Sequence, residues 1–89
     1  MIVDDNDQVR EGLIRMLRSA GIRSIGAGSY AEAVDLQAVH LPAVAVIDVR
    51  LSDGSGVDLA DAIQGRNPET RVIMLTGYAA LDAPMDAVG

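Results

Sequence analysis

Ala43-Val44-Ala45-Val46-Ile47-Asp48 is an unbroken apolar run closed by a carboxylate. A strand with apolar side chains at consecutive positions offers a hydrophobic surface on both faces of its sheet, so helices must cover it above and below. That reading makes it a central strand of a parallel α/β sheet. Two other segments share its form. Met1-Ile2-Val3 runs into Asp4-Asp5, and Arg71-Val72-Ile73-Met74-Leu75 runs into Thr76-Gly77. In open parallel sheets the carboxyl ends of neighbouring strands border one crevice, and ligands bind there. Asp4, Asp5 and Asp48 gathered in that crevice would repel one another, and a hard, oxygen-seeking cation such as Mg²⁺ would offset the repulsion.

Between these runs the pattern alternates with helices. Asn6 or Asp7 caps a helix over residues 8–20, whose apolar positions Val9, Leu13, Met16, Leu17 and Ala20 recur at helical spacing. Glu11 stands four residues before Arg15, the favourable order for an ion pair, and Gly21 supplies a left-handed stop. Residues 22–27 form a weak strand. Ser29 with Glu32 spells a capping box, opening a helix expected to bury Ala31, Val34, Ala38 and Leu41 before Pro42 ends it. Asp53-Gly54-Ser55-Gly56 is a turn, with Asp53 as ordinary turn chemistry, leading to a helix over residues 57–64 that Gly65 and Pro68 close. Residues 71–75 read as a second fully buried strand, and residues 79–89 begin a helix with Pro84 in its first turn. The order implies right-handed crossovers and a doubly wound parallel sheet.

Composition narrows the function classes. The 89 residues fit one domain and carry a net charge of −6, with seven basic residues, all arginine. There is no cysteine, which excludes disulfides and thiolate chemistry. The absence of a basic stripe or an aromatic platform argues against direct contact with nucleic acid. No apolar stretch approaches the roughly 20 residues of a membrane span, and the first residues show no basic segment followed by a long apolar one, so no signal peptide is visible in this sequence. A cytoplasmic module is the expectation. His40 has no histidine or cysteine companion for zinc, and Gly26-Ala27-Gly28 is too short a glycine pattern for a dinucleotide site.

Ile2-Val3-Asp4-Asp5-Asn6, then Val46 through Gly56, then Met74-Leu75-Thr76-Gly77-Tyr78 together resemble the receiver domain of two-component response regulators, a flavodoxin-like, CheY-like fold. The stretch from Asp48 to Tyr78 is similar to both the ActR/PrrA and the NarL branches. The resemblance implies that Asp48 accepts a phosphoryl group from a sensor histidine kinase or a phosphotransfer protein. It implies Mg²⁺ held by Asp5, Asp48 and the backbone carbonyl of Arg50, with Asp4 acting through water. Thr76 would donate its hydroxyl to the phosphoryl group and act as the switch, and Gly77 would leave room for the donor. Asn6 and Tyr78 would modulate the site. Such a domain is a signalling phosphoacceptor rather than an enzyme, and it controls an output such as transcription.

Two departures from the family pattern accompany the resemblance. Receivers carry a lysine at the end of a fifth strand, and this sequence has none. Residues 1–89 correspond to four of the five βα units, without the fifth strand and helix and without part of the first strand. Either the sequence is an excerpt of a longer regulator or it is a truncated receiver, and in the truncated case slow or absent phosphotransfer is the expectation. The alternative reading is a truncated pseudo-receiver that acts as an interaction module, forming a homodimer through its unfinished sheet edge.

Overall fold

The computed structural model describes residues 1–75. The chain runs through β1 (Ile2–Val3), α1 (Asp7–Ser19), β2 (Gly26–Ala27), α2 (Tyr30–His40), β3 (Val44–Asp48), β4 (Arg50–Leu51), β5 (Gly54–Ser55), α3 (Gly56–Arg66) and β6 (Arg71–Leu75). The main sheet is parallel throughout, in the order β2-β1-β3-β6. The chain therefore winds outward from β1 to one side, then crosses back to build on the other, with its switch point between β1 and β3. The antiparallel hairpin β4–β5 projects from the end of β3, where the sequence suggested only a turn.

Helices α2 and α3 pack together on one face of the sheet. The core beneath them contains Val3, Ala27, Ala33, Ala45, Ile47, Leu59 and Ile63. Ile47, Leu59 and Ile63 are almost fully buried, and each such side chain contributes about 1.5–3 kcal/mol by leaving water. On the other face, α1 contacts β1 and β2. Beside it, Met1, Ile2, Leu17, Ile22, Val44 and Val46 line an open apolar groove at the amino ends of the strands.

Helix termini follow the local chemistry. Asn6 caps α1 by accepting from the Val9 amide. At the other end of α1, Gly21 takes φ +82°, its N–H donates to the Arg18 carbonyl, and the Ile22 N–H donates to that of Leu17. This paired closure is a Schellman motif, so the stop expected at Gly21 is formed. Ser29 caps α2 through the Glu32 amide, but Glu32 reaches back to the Gly28 N–H rather than to that of Ser29. Ser55 caps α3.

Several expectations are corrected. Helix α2 buries Ala33 and Gln37, while Ala31, Ala38 and Leu41 are exposed and Val34 is half-buried. Apolar residues surround this short helix, so spacing alone does not choose the buried face. None of the α1 residues is fully buried, and Val9 and Met16 stand in solvent. The ion pair on that helix joins Arg10 to Asp7 at 2.7 Å; among the described residues Glu11 and Arg15 form none. Helix α3 runs through Gly65 to Arg66, because a glycine within a helix weakens it without breaking the hydrogen-bond ladder. Strand β2 shortens to two residues. Strand β6 is an edge strand among the described residues rather than a fully buried one, and Ile73 is exposed. The helix expected over residues 79–89 lies outside the described residues.

Candidate functional site

The register of β1 against β3 builds the site. Ile2 pairs with Val46 and Val3 with Ile47, so the next step along both strands sets Asp4 beside Asp48 at the carboxyl edge of the sheet. One carboxylate oxygen from each of Asp4, Asp5 and Asp48 lies within 4.8 Å of the others. Asp4 is buried, Asp48 half-buried and Asp5 exposed. The cluster thus has a closed floor at Asp4 and an open side at Asp5.

Backbone geometry fixes each acid. The Asp4 N–H donates to the Ala27 carbonyl at 3.1 Å, the last anchor of β1 to β2. The chain then turns away, and the Asn6 N–H donates to Asp4 Oδ1 at 2.9 Å. Asp48 Oδ1 accepts the Arg50 N–H at 3.2 Å. The Val49 N–H bonds the Leu75 carbonyl, and the Gly56 N–H bonds the Val49 carbonyl, which holds the chain beyond Asp48 between β6 and the start of α3.

The electrostatics match three like charges in a small volume. The Asp4 carboxyl is pushed above the usual aspartate range, chiefly by burial. The nearby charges of Asp48 and Asp5 push it further, and the hydrogen bond from the Asn6 amide works against the rise. Among the described residues no arginine side chain forms an ion pair with any of the three acids, and the one ion pair is Arg10–Asp7. An all-oxygen set carrying uncompensated negative charge suits a hard divalent cation such as Mg²⁺ or Mn²⁺, and nothing in it favours zinc or copper.

The structure thus gathers Asp4, Asp5 and Asp48, with the Arg50 backbone directly alongside. Asn6 sits at the rim as the cap of α1. Thr76, Gly77 and Tyr78 lie outside the described residues; Leu75, just before them, pairs in register with Asp48. Sequence reasoning missed three contributors. Arg10 donates to the Asp4 carbonyl at 2.8 Å. Asp53, taken as a turn residue, accepts the Tyr30 and Ala31 amides at 2.7 and 3.1 Å and so holds the β4–β5 hairpin to the first turn of α2. Gly56 lies against the Asp48 backbone. The Ser-Gly step at a helix start could have flagged Gly56, but no local pattern announces contacts spanning 22 and 23 residues.

A doubly wound parallel sheet with clustered carboxylates at its switch point defines a receiver-type α/β module. The sequence matches the family described as response regulator receiver domain over residues 1–89, and the chain belongs to that family. It is 42% identical over 88 residues to the acid tolerance regulatory protein ActR of Rhizobium meliloti (strain 1021), an alignment covering 99% of this chain and 45% of that protein. It is 40% identical over 89 residues to the DNA-binding transcriptional activator DevR/DosR of Mycobacterium tuberculosis, covering 98% and 41%. The chain spans less than half the length of these two curated relatives. Among solved structures, a CheY-like receiver domain protein from Methanospirillum hungatei JF-1 superposes with a TM-score of 0.84 at 25% identity, covering 98% of this chain and 70% of that one. Among the described residues, no helix is long and apolar enough to cross a membrane.

Proposed function

We propose that this chain accepts a phosphoryl group on the carboxylate of Asp48, with Mg²⁺ bound by Asp5, Asp48 and the Arg50 backbone carbonyl and Asp4 acting through water. The convergence of three carboxylates within 4.8 Å at the switch point carries this reading. A bound Mg²⁺ would offset the negative charge of the phosphoryl oxygens and fix their orientation. An Asp48 oxygen attacks phosphorus in line with the phosphohistidine of a sensor kinase or phosphotransfer protein. The new oxygen–phosphorus bond forms as the phosphorus–nitrogen bond breaks, and the electron pair returns to the departing imidazole. The Arg50 N–H, at 3.2 Å from Asp48 Oδ1, orients the carboxylate so that its other oxygen is free to attack. Thr76 would donate its hydroxyl to the phosphoryl group, Gly77 would leave room for the donor, and Asn6 and Tyr78 would modulate the site. In this reading the chain is the cytoplasmic receiver part of a regulator whose output, as in the relatives named for transcriptional control, is gene expression.

Incubation with acetyl phosphate and Mg²⁺, read by intact-protein mass spectrometry, tests the assignment. One phosphoryl group should accumulate on the wild-type chain, slowly because its sequence carries no lysine to pair with the phosphoryl group, and should be absent with EDTA or in Asp48→Asn. Labelling that persists in Asp48→Asn removes Asp48 as the acceptor.

A further inference from the structure

We propose that Arg10 is a positioning residue for the acidic cluster, acting through the peptide that joins Asp4 to Asp5; the inference rests on the metal-binding reading above. Arg10 Nη1 donates to the Asp4 carbonyl oxygen at 2.8 Å, and Nη2 donates to Asp7 Oδ1 at 2.7 Å. Only 16% of the Arg10 side chain is exposed. The Asp4 carbonyl and the Asp5 nitrogen belong to one rigid plane, so holding that oxygen fixes where the Asp5 Cα begins. Asp5 is the exposed member of the cluster, and it has left the strand that anchors Asp4. The guanidinium supplies the restraint that the sheet does not.

The opposite wall is shaped to admit this side chain. A Cβ at Gly26 would lie 3.1 Å from Arg10 Cδ and 3.3 Å from Cγ, and one at Gly28 would lie 3.1 Å from Nη1. The two glycines leave a trough along β2 and the residue after it, and the arginine lies in it. Asp7 holds the second nitrogen from the first turn of α1, so one planar group ties helix and strand end together, as a fork of fixed geometry can and a lysine ammonium cannot.

The prediction opposes simple electrostatics. Removing a positive charge near three carboxylates should tighten cation binding if Arg10 acted only by its field. Positioning predicts the reverse. The chain is titrated with Mn²⁺ and followed by electron paramagnetic resonance, with circular dichroism confirming the fold of each variant. Arg10→Met keeps the stem packing and should weaken Mn²⁺ binding about tenfold. Arg10→Lys keeps the charge and should also weaken it, and this variant decides the matter if Arg10→Met does not fold. Gly28→Ala, which crowds Nη1, should shift binding in the same direction. Unchanged or tighter binding in the folded arginine variants overturns the proposal while leaving the metal site intact. Failure of the wild-type chain to bind Mn²⁺ overturns the metal-binding reading itself, and this inference with it.

Discussion

Gly56 and Asp48 are locked together by backbone contact. A Cβ at position 56 would stand 2.8 Å from the Asp48 carbonyl carbon and 3.0 Å from the Val49 Cα, with the Asp48 carbonyl oxygen directly in its way. Both neighbours are main chain, so neither can rotate aside. The start of α3 is thus pressed against the residue that is proposed to receive the phosphoryl group. Gly56→Ala is expected to cost about 2–3 kcal/mol through forced backbone displacement, read as a lower urea midpoint at unchanged slope, and to reduce labelling of Asp48. Gly12 in α1 provides the contrast, since nothing lies within 4 Å of a Cβ built there. Gly12→Ala should stabilise by about 0.5–1 kcal/mol, through helix propensity and a less disordered unfolded chain. Equal effects from the two substitutions would contradict the close approach.

Asp4 predicts a conflict between stability and binding. Its carboxyl is raised above the ordinary aspartate value by burial and by Asp48 and Asp5. An acid whose folded value exceeds its unfolded one makes a protein lose stability as pH rises from the unfolded value through the folded one, and the loss persists at neutral pH. Asp4→Asn should therefore melt at a higher temperature than the wild type at pH 7, and the difference should vanish in acid. Added Mg²⁺ should raise the wild-type melting temperature, with about 2.7 kcal/mol gained at a hundredfold excess over its dissociation constant, and should raise that of Asp4→Asn much less. Thermal melts across pH, with and without the metal, measure both effects. An Asp4→Asn chain that is less stable at neutral pH would remove the account by burial and charge repulsion.

Most of what positions the site was legible because it depends on strand ends. The run from Ala43 to Asp48 is an interior strand of the sheet as read, although among the described residues Val44 is exposed and Val46 half-buried in the open groove, and its closing carboxylate had to share an edge with whatever ended β1. Gly21 and Ser29 were readable for the same reason, since a backbone angle or an orphan amide admits few residue types. The buried face of α2 was not legible. Ala31, Ala33, Val34, Leu36, Ala38 and Val39 encircle it, and the face turned inward carries Gln37, a polar residue that spacing rules assign to solvent. Arg10 and Asp53 escaped for another reason. Apart from Asp7, which pairs with Arg10, their partners are a backbone carbonyl and two backbone amides, and nothing in the identity of those residues marks them as partners.

Asp53 joins the loop after Asp48 to the start of α2, and its chemistry makes that link pH-sensitive. The Tyr30 and Ala31 N–H groups hold its carboxyl below the ordinary aspartate value. An acid with a depressed folded value contributes stability that is present above its unfolded value and is lost as pH falls through the folded one. The clasp should therefore be intact at neutral pH and open only in strong acid. Asp53→Ala should speed hydrogen exchange at the Tyr30 and Ala31 amides at pH 7 and lower the melting temperature, with little effect on amides in the middle of α3. Unchanged exchange at those two amides would mean that the hairpin is held by other contacts, such as the Tyr30 ring packed over Gly54.

Leu41 ends α2 in the left-handed region, at φ 46° and ψ 62°, and is 60% exposed. A side chain with a Cβ costs about 1–2 kcal/mol there, and exposure means that little packing offsets the cost. Pro42 follows at once and disfavours helical backbone at the preceding residue, so the chain must turn out of the helix at this position whatever occupies it. Leu41→Gly removes the steric cost but adds freedom to the unfolded chain, which takes back part of the gain. The net expectation is a stabilisation of about 0.5–1 kcal/mol by urea denaturation, with metal binding unchanged because the acidic cluster lies at the opposite end of β3. Leu41→Ala provides the control: it trims the same exposed side chain, keeps the Cβ, and should yield none of this gain. A gain shared by both variants would trace the effect to the exposed apolar surface rather than to the backbone angle.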